Sequence, residues 1–547
     1  MLKLHIYPLA FTAISSLIVV APPQVVAVDV AVYLNYSTYI GTAQAETGVT
    51  QWLGIRYAAP PLGELRFMPP EDPPVISTPQ SAHEHGTYCL ATDGASSDTA
   101  TSEDCLFLDV YAPSSATPTS KLPVYFFIQG GGFNTNSNPN LNGTGLVNAS
   151  GNNIVVITFN YRVGPYGFLT DGKDLQGNNG LRDQRKALEW VQKYIAQFGG
   201  DPGHVVLGGD SAGAASISLH LIAYDGRDDG LFHAAAAESV SFATVLTAEQ
   251  SRYQYDNLAL RLGCVGNTSQ TLTCLQSKSA AEVQDMNYNI PYPGAADRPL
   301  YMYNPVIDGD LIRDLTYTSF AKGNFVKVPV IFGDDTNGGT VFAPQNTSTL
   351  AQSDMFLRNQ FPYLSLEQFA TINSLYPNPN QTCPNVGCYW RQVSNAYGEM
   401  RYMCPGLYIS DAYTKYGVPQ SWAYRWNVED PDQIADGRGV PHTVELNAIW
   451  GPFNTNGASP LSYYPNGTNA HAVPVVQGYW TSFIRTYDPN RYRVNGSAHW
   501  VTWNSTKQGR LLFDTGGTTM MEDLAGSDLM RRCEFWYDIG VDILQRR

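Results

Sequence analysis

The sequence predicts an α/β fold: a large, mostly parallel central sheet flanked by helices and carrying helical insertions. Three observations predict it. Continuous apolar runs recur at 124–129, 153–160, 205–209, 234–239, 328–333 and 421–426 with helical or long irregular stretches between them, and runs without polar alternation are strands covered on both faces. An amphipathic helix over 181–198 lies between the 153–160 and 205–209 runs, as a crossover between parallel strands requires. Glycine-rich turns follow two of the strands directly, at Gly130-Gly131-Gly132 and at Gly209-Asp210-Ser211-Ala212-Gly213.

The N-terminus carries Lys3, an apolar stretch from Leu9 to Val20, and Ala27 preceded by Val25. This pattern predicts a signal peptide over residues 1–27, because the apolar run is too short to span a bilayer. No other segment reaches 18 apolar residues, so no membrane span is expected. The chain is predicted to be secreted, with one domain over 28–547; 547 residues with 43% hydrophobic content can bury a large core. Nine Asn-x-Ser/Thr sequons, at Asn35, Asn142, Asn148, Asn267, Asn346, Asn380, Asn466, Asn495 and Asn504, fit an exported glycoprotein. The eight cysteines form an even set, so disulfides are the default in that compartment, with 105 connectivities open to sequence alone. Metal binding at Cys383 and Cys388 is disfavoured because no histidine pair sits nearby at ligand spacing. No cofactor or metal is expected. A formal net charge of −15 with no Lys/Arg cluster excludes a nucleic-acid partner.

The strand at 124–129 runs into Gly130-Gly131-Gly132-Phe133, where a turn without side chains brings backbone N–H groups close to a developing oxyanion. The strand ending at Gly209 runs into Ser211 and then a helical stretch, Ala214 to Ala223. This is a nucleophile elbow: the serine occupies a strained strand-to-helix turn, and small residues two before and two after it let the backbone pass. Ala212 supplies a further N–H. A serine hydroxyl needs a general base, and His442 follows the 421–426 strand on a loop, where this architecture requires it. The other eight histidines read as structural or surface residues. Residues 350–415 carry no strand alternation and read as a helical insertion.

These motifs resemble the type-B carboxylesterase/lipase family, the cholinesterase-like branch of the α/β hydrolases, and in particular its secreted fungal carboxylesterases. The resemblance rests on Leu53-Gly54-Ile55-Arg56-Tyr57-Ala58, on Glu103-Asp104-Cys105-Leu106-Phe107-Leu108-Asp109-Val110-Tyr111, on Asn160-Tyr161-Arg162-Val163-Gly164 and on the elbow. It implies the α/β-hydrolase fold, an oxyanion hole of Gly131, Gly132 and Ala212, and the disulfides Cys89–Cys105, Cys264–Cys274 and Cys404–Cys533, leaving Cys383–Cys388 to close a small loop. It also implies Ser211 as nucleophile and His442 as base, with a glutamate at position 338. Here the chain departs from its relatives, because that position is Gly338. Three readings stay open. Asp335 or Asp334 replaces the acid; Glu445 or a water orients His442; or the chain has given up efficient hydrolysis and binds a metabolite or a protein partner. Loss of the acid alone costs roughly 10⁴-fold in turnover, against about 10⁶ for the serine or histidine, which favours retained hydrolysis with Asp335 as the leading acid. The 15 residues between Cys89 and Cys105 hold no aromatic side chain. The loop is therefore short for a lipase lid and lacks a cation–π platform for choline. The expected substrate is a small or medium soluble ester.

Overall fold

The computed structural model describes residues 29–378, 383 and 385–545; the expected signal peptide and the Asn380 sequon lie outside them. Eleven strands form one sheet: β1 (Thr42–Gln44), β2 (Val49–Arg56), β3 (Phe107–Pro113), β4 (Leu122–Ile128), β5 (Val155–Phe159), β6 (Gly200–Asp210), β7 (Ala234–Glu238), β8 (Val330–Asp335), β9 (Ser421–Asn427), β10 (Gly509–Asp514) and β11 (Thr518–Asp523). Their order is β11-β10-β9-β8-β7-β6-β4-β5-β3-β2-β1. From β10 through β5 every neighbouring pair is parallel, and antiparallel strands close both ends. The six predicted strands are β4 to β9, while β2, β3, β10 and β11 carry no continuous apolar run that announces them.

Alternate residues of the central strands enter different cores. Val124, Phe126 and Ile128 of β4 pack on one face with Val205 and Leu207 of β6, while Tyr125 and Phe127 pack on the other with Val206. Each large side chain so buried contributes roughly 1.5–3 kcal/mol. The crossover helix α1 (Asn179–Tyr194) ends in a 3₁₀ turn over Ile195–Phe198, and helix α2 (Ala212–Gly226) starts directly after Ser211. The insertion contains α3 (Leu350–Gln360), α4 (Leu366–Leu375), α5 (Trp390–Gly398) and α6 (Cys404–Lys415). Capping boxes at Thr349/Gln352 and Ser365/Gln368 start α3 and α4 by satisfying otherwise orphaned backbone donors at each helix start. Between α5 and α6 the backbone makes a π-helical turn, Glu399–Met403.

Disulfides join Cys89–Cys105, Cys264–Cys274 and Cys404–Cys533. The fourth expected bridge is not formed: Cys383 and Cys388 are not joined in a disulfide. Their sulfurs interact as hydrogen-bonded neighbours, which pushes the Cys383 thiol up.

Candidate active site

The strand order reverses at β4, which has β5 on one side and β6 on the other. A crevice therefore opens at the carboxyl ends of β4 and β6, the general position of ligand sites in such sheets. Both glycine-rich turns lie there. Ser211 is half-buried with φ 52° and ψ −113°, a conformation that costs a non-glycine residue of order 1–3 kcal/mol. The surroundings enforce it. The Ser211 N–H donates to Glu238 O at 2.9 Å and the Ser241 N–H donates to Ser211 O at 3.3 Å. A Cβ on Gly213 would collide with the Ile128 carbonyl, and one on Gly209 would stand 2.8 Å from the Gly213 carbonyl carbon.

Opposite the serine, the Gly130 N–H donates to Asp210 Oδ1 at 2.8 Å. The turn then passes through Gly131 (φ 108°) and Gly132 (φ 62°) and is pinned by Asn134, whose Nδ2 donates to Gly132 O (2.7 Å) and Tyr303 O (2.6 Å). Among the described residues no group accepts a hydrogen bond from the N–H of Gly131, Gly132 or Ala212. Three backbone donors are thus left for a ligand oxygen. Asp210 also accepts from Asn138 Nδ2 at 3.0 Å, and its pKa is raised to about 7, chiefly by burial.

His442 follows β9. Its ring lies against Tyr402 (centroids 4.1 Å apart) and Phe342 (5.2 Å), and both ring nitrogens are buried with no hydrogen-bond partner. Burial, and secondarily the positive charge of Arg401, bring its pKa down to about 3. None of the carboxylates considered as its partner reaches it among the described residues. Asp335 Oδ2 instead accepts from Ser239 Oγ (2.6 Å) and the Thr443 N–H (2.7 Å). Glu445 Oε1 accepts from Ser239 Oγ (3.1 Å) and Tyr424 Oη (3.0 Å). Asp334 lies 3.4 Å from Arg510 Nη1. Burial and mutual repulsion raise Asp335 well above the usual carboxylate range, and burial raises Glu445. Asp335 thus anchors the backbone beside His442 and the residue after β7 without touching the imidazole.

Gly338 would admit a Cβ. A Cβ there would meet only ordinary contacts, Asp335 O at 3.7 Å and two Tyr402 carbons at 3.8 Å, and its φ is not left-handed. The position faces the ring that covers His442.

Sequence reasoning does not find the aromatic wall of this site. A Cβ on Gly132 would run into the Tyr301 ring, Phe342 stacks on Tyr402 at 5.1 Å, and Tyr397 meets Tyr402 edge-on at 5.9 Å. Phe342 also lines a cavity of about 480 Å³ whose walls include Asp93, Leu300, Met355 and Phe356. Its only advance signal is the Gly339-Thr340-Val341-Phe342 run beside Gly338.

A model described as "Carboxylesterase family" matches residues 30–536. The chain belongs to the carboxylesterase family. This carboxylesterase-family chain is 29% identical over 512 residues to Secreted lipase 4 of Gibberella zeae, covering 90% of this chain and 88% of that one. It is 29% identical over 521 residues to the acetylcholinesterase of Bungarus fasciatus, covering 89% and 82%. The crystal structure of Aspergillus niger EstA superposes with a TM-score of 0.90 at 42% identity, covering 94% of this chain and 98% of EstA. The fold is that of an α/β-hydrolase carboxylesterase, and the chain is a carboxylic ester hydrolase.

Proposed function

We propose that this carboxylesterase is a secreted serine esterase that cleaves small or medium soluble esters through an acyl-Ser211 intermediate, with His442 as general base and no carboxylate on its Nδ1. The observation that carries this reading is Ser211, held at φ 52° beside the three unused N–H groups of Gly131, Gly132 and Ala212. Ser211 Oγ attacks the ester carbonyl and its proton passes to His442 Nε2. The oxyanion takes the three N–H groups. The protonated imidazole returns its proton to the leaving alkoxide, and water repeats the sequence on the acyl-enzyme to release the acid and restore Ser211. No hydrogen bond joins Ser211 to His442 in the unliganded arrangement; such bonds tighten on substrate binding.

Without an acid on Nδ1, the imidazolium formed in each step lacks its stabilising charge, so turnover falls by roughly 10⁴-fold from a full triad while chemistry persists. Secretion and glycosylation rest on the leader-like N-terminus, the disulfides and the sequons. Asn35, Asn148, Asn267, Asn346, Asn466 and Asn495 are exposed. The fungal secreted lipase is a relative of matching character. The test is labelling with an organophosphonate probe read by intact mass. Ser211 is expected to gain one phosphonyl group, and Ser211→Ala none. An unlabelled native protein overturns the serine mechanism.

A further inference from the structure

Arg401 is buried on the π-helical turn Glu399–Met403, a type of backbone irregularity that recurs at functional sites. Its Nε donates to Ser241 Oγ at 3.0 Å, and the Ser241 N–H bonds the carbonyl of Ser211. The guanidinium lies 5.4, 5.6 and 5.7 Å from the ring centres of Tyr301, Tyr397 and Tyr402. Tyr301 abuts Gly132 and Tyr402 covers His442. The cation therefore stands one side chain away from nucleophile, oxyanion turn and base at once.

Among the described residues no carboxylate lies within 4 Å of it, unlike the equally buried Arg66 and Arg162, which pair with Glu103 and Asp183. Burying a guanidinium without an anion is costly, and tyrosine faces recover only part of that cost. Beside it, the Tyr397 hydroxyl is buried and has no hydrogen-bond partner. The corner thus holds a buried cation with no carboxylate beside it and a buried hydroxyl next to that cation. We propose that this corner receives a carboxylate brought by the substrate, so that the enzyme prefers half-esters of short dicarboxylic acids over neutral esters of the same length. Glutarate half-esters, with three methylenes between the carbonyl groups, are the probe for this corner.

This inference rests on the proposed esterase reading. The test compares kcat/KM for monoethyl glutarate and ethyl valerate, matched in length, by ethanol release at pH 6.5. The glutarate ester is expected to be favoured at least tenfold. That ratio should collapse at least tenfold in Arg401→Gln, persist in Arg401→Lys, and fall severalfold in Tyr397→Phe. A wild-type ratio of one or less overturns the proposal, as does a ratio that Arg401→Gln leaves intact. If Arg401→Gln does not fold, the wild-type ratio and Tyr397→Phe decide. If neither ester is cleaved and Ser211 takes no phosphonate, the esterase reading fails by itself. Calorimetry with glutaramate and valeramide then decides the present one: tighter glutaramate binding supports it, and equal or absent binding of both overturns it.

Discussion

At the scale of single residues, the proposed mechanism turns on Gly338 and His442. A Cβ at Gly338 would meet only ordinary contacts, so Gly338→Glu is expected to raise kcat for a soluble short-chain ester by one to three orders of magnitude, given the roughly 10⁴-fold worth of that acid. Steady-state kinetics checks it, and an unchanged kcat would show that no carboxylate is missing. Asp335→Asn should change kcat by less than about threefold. Its carbonyl oxygen can still accept from Thr443, and Asp335 does not touch His442; a loss of about 10³-fold would make Asp335 the acting acid. The pH profile separates the same alternatives. A histidine acts as a base only when neutral, and with its pKa near 3 instead of 6.5 the ring is already neutral at pH 5. Wild-type kcat/KM is therefore expected to show no loss from His442 protonation between pH 7 and 5. In Gly338→Glu the new carboxylate stabilises the imidazolium, raises that pKa and moves the acidic limb upward.

At the scale of elements, the elbow and the insertion make different demands. The turn between β6 and α2 leaves no space at position 213, so Gly213→Ala must displace the Ile128 carbonyl at the end of β4. Phosphonate labelling of the folded variant should fall at least tenfold, because the oxyanion turn begins two residues later. The insertion helix α6 is tied to the C-terminal helix Asp528–Ile539 by Cys404–Cys533, across 129 residues of sequence. Replacing both cysteines by serine is expected to cost about 5 kcal/mol in the chain-entropy account of cross-links, checked by chemical denaturation. Legibility in the sequence divides along the same line. The parallel strands and the elbow are readable because continuous apolar runs and glycines at fixed offsets have few other physical uses. β11, Thr-Thr-Met-Met-Glu-Asp, is half exposed and has no such signature. Gly338 is readable as a missing acid. What surrounds it is not: the meeting of Tyr301, Tyr397, Arg401 and Tyr402 depends on a π-helical turn and on segments a hundred residues apart, and no local pattern encodes either.

At the scale of the whole molecule, acids collect at the carboxyl ends of the strands: Asp210 on β6, Glu238 on β7, Asp334 and Asp335 on β8. Burial raises all four, Asp210 and Asp334 to about 7. An acid whose folded pKa exceeds its unfolded value of 3.8 binds more protons in the native state between those limits, so its contribution to stability declines as pH rises from about 4 to 7. His442 acts oppositely: with a folded pKa near 3 and an unfolded one near 6.5, it destabilises the native state as pH falls through that window. Asp210→Asn removes one acid term, so its stability relative to wild type should improve from pH 4 to pH 8 by up to roughly 4 kcal/mol. Denaturation at the two pH values checks this, and a pH-independent difference would place the Asp210 pKa near its ordinary value. The two ends of the sheet carry a separate consequence. One closes on β1, three residues long, and the other on β11, which ends in Glu522 and the exposed Asp523. Backbone hydrogen-bonding groups along a rim recruit matching strands from other copies only where the rim is long, flat and uncharged. The sheet is thereby protected from stacking copy on copy into fibrils, and the sites where such growth would begin are its shortest border and its acid-tipped one.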